Sequence, residues 1–180
     1  TKPDTLYRFV GFRNYERLIG DYDFWVAFGR TVLFLTIALN LELVFGLGIA
    51  LLINKITYAQ KTLRTLMMFP MMFSPILVGF QWKYIFNDNI GLLNNFLREF
   101  GVINPIPWLV DATLANISIM AAEIWSSTSV FAILLLAGLM GIPKDPIEAA
   151  KVDGCNSWQV FKNITLPFLM PFIFIAMTIR

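Results

Sequence analysis

The stretch "LANISIMAAEIWSSTSVFAILLLAGLMGI" (residues 114–142) holds one formal charge, Glu123, and no proline before its end. Crossing the hydrocarbon of a bilayer takes about 20 mostly apolar helical residues, so this run can span with some tilt. It predicts a membrane helix and, with it, a protein built from such helices. Two more runs reach spanning length: "TVLFLTIALNLELVFGLGIALLI" (31–53), inside a span expected over about 28–53, and "LMMFPMMFSPILVGFQWKYIF" (66–86). Pro70 and Pro75 interrupt the latter. Neighbouring helices in a bundle can satisfy the carbonyls that a proline frees, so one kinked span is expected there. A fourth run, "LPFLMPFIFIAMTI", covers about 14 residues, or roughly 20 Å of a core of roughly 30 Å. Its shortness predicts a truncated span (166–180) and a fragment of a longer protein.

Composition points the same way. The chain is 57% hydrophobic and 14% charged, with a mean hydropathy of +0.67. A soluble domain lies nearer half apolar and a quarter charged. The net charge of +2, with no block of basic residues, argues against a nucleic-acid partner. There is no histidine and one cysteine, Cys155, which removes His-based triads, His-ligated metals and internal disulfides. A Walker A phosphate loop is absent, so no catalytic residue, metal site or bound ATP is expected in this chain. The opening residues, "TKPDTLYRFVGFRNYERLIGDYDF", lack the apolar core of a signal peptide.

Between the second and third runs, Gly, Asn and Pro punctuate the chain. Leu92, Leu93, Phe96 and Leu97 predict a short amphipathic helix there, lying along the interface. Lys and Arg divide six against six between the two sets of flanking segments, so the positive-inside rule does not orient the bundle.

Inside the spans, a carboxylate at the bilayer centre costs at least about 2.5–3.5 kcal/mol. Glu123 should therefore face the bundle interior or a water-filled path. Asn116, Glu123 and Ser127 fall on one side of the helix. With Trp125 and Trp82 as aromatic platforms, they form a candidate substrate path; the plainer reading is helix-to-helix hydrogen bonding. Glu42 in the first run has the same ambiguity. Gly46, Gly48 and Ala50 read as helix-packing positions.

The stretch "EAAKVDGCNSWQVFKNITLP" (148–167) is amphipathic and lies between two apolar runs. Pro143 and Pro146 stop the third run. Asp145 is placed to cap a new helix, with Glu148 in its first turn. Asp153-Gly154 signals a turn, and Asn156 or Ser157 can cap a second helix reaching Asn163, with Trp158 and Phe161 as an apolar ridge. Pro167 then starts the next span. The residues alone describe a helix–turn–helix at the membrane surface, over 143–165. An ordinary interfacial loop would look similar.

The pattern Glu148-Ala149-Ala150, Gly154, Ile164 and Leu166-Pro167, with Asp153 and Pro171, resembles the EAA signature loop of permease subunits of binding-protein-dependent ABC importers. "FVGFRNYERL", "RTLMMFPMMFSPILVGFQWKYIFNDNIGLLNNFL" and "GLMGIPKDPIEAAKVDG" are similar to segments of the carbohydrate-uptake branch, the maltose and glycerol-phosphate type. Cys155 stands where that family usually has alanine.

The resemblance implies an all-α membrane protein: a bundle of transmembrane helices with a cytoplasmic helix–turn–helix coupling loop, part of a six-span permease. One span before Thr1, and the rest of the fifth with the sixth, would then lie outside the chain. It implies residues 54–64 and 141–165 inside and 87–112 outside, in a bacterial or archaeal inner membrane. It also implies that Glu148, Ala149, Ala150, Asp153, Gly154, Ile164, Leu166 and Pro167 couple the permease to a separate ATPase. The implied partners are an ATP-binding subunit dimer holding ATP and Mg, a second homologous permease, an extracytoplasmic solute-binding protein and membrane lipid. Competing readings are an ion-coupled carrier or channel using Glu42 and Glu123, and a scaffold that only recruits a partner.

Overall fold

The structure is a computed structural model and describes residues 11–56, 58–102 and 104–180. Phe9 and Val10, which open "FVGFRNYERL", lie outside the described residues. Among those described the regular structure is helical: α1 (Arg13–Ile19), α2 (Tyr22–Lys55), α3 (Gln60–Met68), α4 (Pro75–Ile85), α5 (Leu92–Glu99), α6 (Ala112–Met140), α7 (Lys144–Val152), α8 (Ser157–Val160) and α9 (Leu166–Ile179). The chain forms two compact units that divide inside α2, between Ile37 and Ala38.

In the first unit, Asp21 caps α2 by accepting from the amides of Asp23 and Phe24 at 3.0 and 3.3 Å. Trp25 donates its indole N–H to the Ile19 carbonyl at 2.8 Å and packs between Phe24 and Phe28. Such an aromatic cluster at the start of an apolar helix suits the headgroup layer, where amphipathic rings collect.

The second unit is organised around α6, which packs on α9, α3 and α4. Its core joins Ala50 and Ile53 of α2, Leu135, Leu136 and Leu139 of α6, and Leu169 and Ile173 of α9. At Gly46 the first and third spans close on each other: a Cβ there would meet the Phe131 Cβ at 2.5 Å. Ala50 is fully buried. Gly48, in contrast, faces open space, so it is not a packing position in this unit.

The run 66–86 bends far more sharply than a simple proline kink, as a broken span or a re-entrant loop does. Gln60–Met72 and Pro75–Ile85 meet at 91°. The ring of Pro75 pushes the residue before it out of the α region, and Ser74 is extended (φ −59°, ψ 140°), as is Phe73. Pro70 does less: Phe69 before it stays helical, and the chain only tightens into a 3₁₀ turn over Pro70–Met72. One proline therefore makes the break.

The fourth run is longer than its apolar core. Helix continues from Ser157 to Ile179, 23 residues that by length and composition can cross a membrane. Pro167 stands in the first turn of α9, as expected, but the helix ahead of it runs on without a break. A π-turn over Phe161–Thr165 widens the helix just ahead of Pro167, where a ring would otherwise strike the carbonyl four residues back.

The segment between α4 and α6 is built on a buried side chain. Asn94, on α5, is 2% exposed. Its Nδ2 donates to the carbonyls of Asp88 and Ile106, both at 3.0 Å. Its Oδ1 accepts from the Ile106 amide at 3.2 Å and the Trp108 indole at 3.0 Å. Leu93 and Leu97 turn inward beside it, whereas Leu92 and Phe96 face out. Asn94→Ala should leave these groups unpaired at about 1–3 kcal/mol each. The expected result is faster proteolysis within 87–110 with unchanged membrane insertion. Wild-type cleavage rates would show that the Asn94 bonds do not hold the segment.

Candidate functional site

Two places gather the polar residues, the loop after α6 and the centre of the second unit. The loop begins at Pro143, which takes the position before α7; Asp145 is the second helical residue and not the cap, and Glu148 sits past the first turn. Proline at 143 and again at 146 suits a helix start, where the missing N–H has no partner to lose. The helix ends in a Schellman turn. The Cys155 amide donates to the Ala150 carbonyl at 2.9 Å, and the Gly154 amide to the Lys151 carbonyl at 3.1 Å. That closure requires a left-handed residue, and Gly154 supplies it at φ +80°. Asn156 then caps α8 in a reciprocal pair with Gln159, at 2.9 and 2.7 Å.

This arrangement sorts the motif by face. Glu148, Ala149, Asp153 and Gly154 point to solvent, Ala150 and Ile164 are half-buried, and Leu166 seals the root of the loop against the core while Pro167 stays exposed. Val152, which no sequence pattern singled out, is 87% exposed beside Glu148. The exposed side of the loop thus presents Glu148, Ala149, Val152 and Asp153 together. Arg64 donates to the Met140 sulfur at 2.8 Å, so the segment before α3 lies at the same end of the unit as this loop.

At the centre, Glu42 is 1% exposed. Its Oε2 lies 3.4 Å from Arg180 Nε, while Arg180 Nη2 contacts Glu123 Oε1. One guanidinium thus joins two carboxylates across α2, α6 and the end of α9. Ser127 donates to Glu123 at 3.5 Å. Arg180 was not recognised from sequence. The signal was present, since two acids inside apolar helices need a cation and Arg180 follows an apolar run.

Of the candidate path residues, Glu123 and Trp82 line a cavity of about 380 Å³ with Ser118 and Lys83. Trp125 touches Trp82 edge-on, with centroids 5.8 Å apart, but lines a second cavity of about 530 Å³ with Phe45, Thr128 and Ser129. Ser127 is buried beneath them. Asn116 is not brought to either cavity; it is exposed and donates to the Ala112 carbonyl of its own helix at 2.8 Å. Among the described residues no group of His, Cys, Asp and Glu could hold a metal ion.

A bundle of membrane-length helices with charges paired inside and a polar helix–turn–helix outside is an integral membrane protein in class. The chain belongs to the family of binding-protein-dependent transport system inner membrane components, matched over residues 42–180. That family is one of transport permeases and not of enzymes. A trehalose/maltose transport system permease of Thermococcus litoralis is 37% identical over 96% of this chain and 58% of its own length. A probable ABC transporter permease of Sinorhizobium fredii is 36% identical over 96% of this chain and 55% of that protein. A bacterial ABC transporter involved in import of the acidic polysaccharide alginate matches with a TM-score of 0.84 and 25% identity, over 97% of this chain and 62% of that one. The chain therefore spans a little over half the length of the curated relatives it matches.

Proposed function

We propose that this chain is part of the permease subunit of an ATP-driven importer for a sugar or sugar-like solute. It contributes to one half of the translocation path and couples it to a separate ATPase through residues 143–167. The observation that carries this reading is the solvent-facing, Schellman-closed loop that presents Glu148, Ala149, Val152 and Asp153. Names of relatives, for trehalose, maltose and alginate, support a carbohydrate as the solute. The partners on this reading are the ATP-binding subunit dimer, which would hold ATP and Mg, a second homologous permease and an extracytoplasmic binding protein. A neighbour solved with its alginate-bound periplasmic protein supports the last of these. Glu42 and Glu123 are engaged by Arg180, which weighs against their use as proton carriers.

The test uses the full-length subunit co-expressed with its ATPase and second permease. Glu148→Lys reverses the charge at the docking face, where loss of a paired group costs about 2–5 kcal/mol. Gly154→Val forces a β-branched residue into the left-handed region at about 1–2 kcal/mol. Both should lower solute-stimulated ATP hydrolysis, the first by more than about tenfold, while the subunit stays in the membrane. Normal stimulation in both variants would reduce the loop to a surface helix and sink the importer reading.

A further inference from the structure

A cavity of about 530 Å³ opens between the end of α2 and the loop, lined by neither Glu148 nor Val152. Its walls are Leu51, Val160 and Phe161, with Trp158 stacked on Phe161 at 5.6 Å. Lys55 and Lys151 stand in the same lining, one from a span and one from the loop, and no acidic residue lines it. Among the described residues neither lysine has a carboxylate within ion-pair distance. Two lysines thus line one opening, and neither is in a salt bridge among the described residues.

We propose that this cavity is a binding site for one anionic phospholipid, with its phosphate between Lys55 and Lys151 and an acyl chain along Leu51, Val160 and Phe161. The occupant follows from the joint chemistry. A free phosphate would use the lysines and leave the apolar wall wet; a hydrocarbon would use the wall and leave the charges unmatched. An amphiphile with an anionic head satisfies both. The place also fits: α2 leaves its apolar run at Lys55, and Trp158, 68% exposed, sits where interfacial aromatics meet headgroups. Basic pockets at the ends of membrane helices attract anionic lipid at about 1 kcal/mol per cation. Unlike the coupling role of the loop, this site needs neither solute nor ATP.

The assembled full-length importer would be delipidated in detergent, incubated with phosphatidylglycerol or phosphatidylcholine, and examined by native mass spectrometry. Wild type should retain one phosphatidylglycerol and no phosphatidylcholine, with excess inorganic phosphate failing to displace it. Lys55→Gln with Lys151→Gln should weaken retention about thirtyfold, which is about 2 kcal/mol at 1.4 kcal/mol per decade. Lys55→Arg with Lys151→Arg should keep it and so control for folding. Equal retention of the two lipids, unchanged retention in the glutamine variant, or displacement by phosphate would overturn the site. So would retention by the permease pair that vanishes when the ATPase is bound, because the cavity would then belong to that interface. Loss of coupling in Glu148→Lys leaves this readout untouched, so the two readings fail separately.

Discussion

Arg180→Gln in the full-length subunit is expected to destabilise the assembled protein by about 1–3 kcal/mol. That is below the cost of breaking a fully buried ion pair, because Arg180 and Glu123 are 30% and 42% exposed and only Glu42 is sealed. The substitution strands one carboxylate, Glu42 at 1% exposure, while Glu123 still faces its cavity. The triad carries one positive and two negative groups, which makes the effects unequal. Glu42→Gln leaves Arg180 matched one-to-one with Glu123 and should cost less than half as much. Combining Arg180→Gln with Glu42→Gln should recover part of the loss, because the most deeply buried orphan charge is gone. The measurement is the thermal midpoint of the purified assembly in detergent for all four proteins of the cycle. An Arg180→Gln protein that melts with wild type, or a double variant worse than the sum of the singles, would mean that the cluster does not hold α2, α6 and α9 together.

The second large effect is steric. Gly46→Leu is expected to cost about 3 kcal/mol or more and to prevent assembly, the upper range of overpacking penalties. Even the first added carbon meets the Phe131 Cβ at 2.5 Å, the Ala132 amide nitrogen at 3.1 Å and the Phe131 carbonyl carbon at 3.3 Å. None of these atoms can rotate away, so α2 must move off α6 and open the core at Ala50 and Leu135. Helices in lipid associate largely through close packing of small residues, which leaves no hydrophobic gain to offset the separation. Gly48→Leu is the internal control, since nothing lies within 4 Å of a Cβ at that position. Co-purification with the second permease should fall for Gly46→Leu and stay normal for Gly48→Leu. Equal behaviour of the two variants would rule out the close approach.

The helix–turn–helix over 143–165 was legible in the sequence because its structure is local. Asp153-Gly154 and Asn156 act within one or two turns of themselves, and the Schellman closure and capping box formed where those residues stand. Glycine patterning was only half informative: Gly46 and Gly48 look alike in sequence, and the side of α2 that meets α6 separates them. Prolines showed where the chain would bend but not by how much. Pro75 turns its run through 91°, because the residue before it could not stay helical. Pro167 stands in the first turn of α9, and a π-turn joins that helix to α8 without a break. Asp145 lost its capping role because Pro143 starts α7 two residues sooner than the sequence suggested.

By itself, then, the sequence determined that the chain is a helical membrane protein, which runs are apolar and long enough to span, and that a helix–turn–helix with a specific signature joins two of them. Hydropathy and capping act over neighbours in the chain, and a single sequence displays them fully. Only the tertiary structure decided that Glu42, Glu123 and Arg180 form one cluster, that Asn94 holds the segment between α4 and α6, and that Lys55 and Lys151 share an opening. Those pairings join residues far apart along the chain. They depend on how helices cross and rotate about their axes, and spacing within one helix does not encode that.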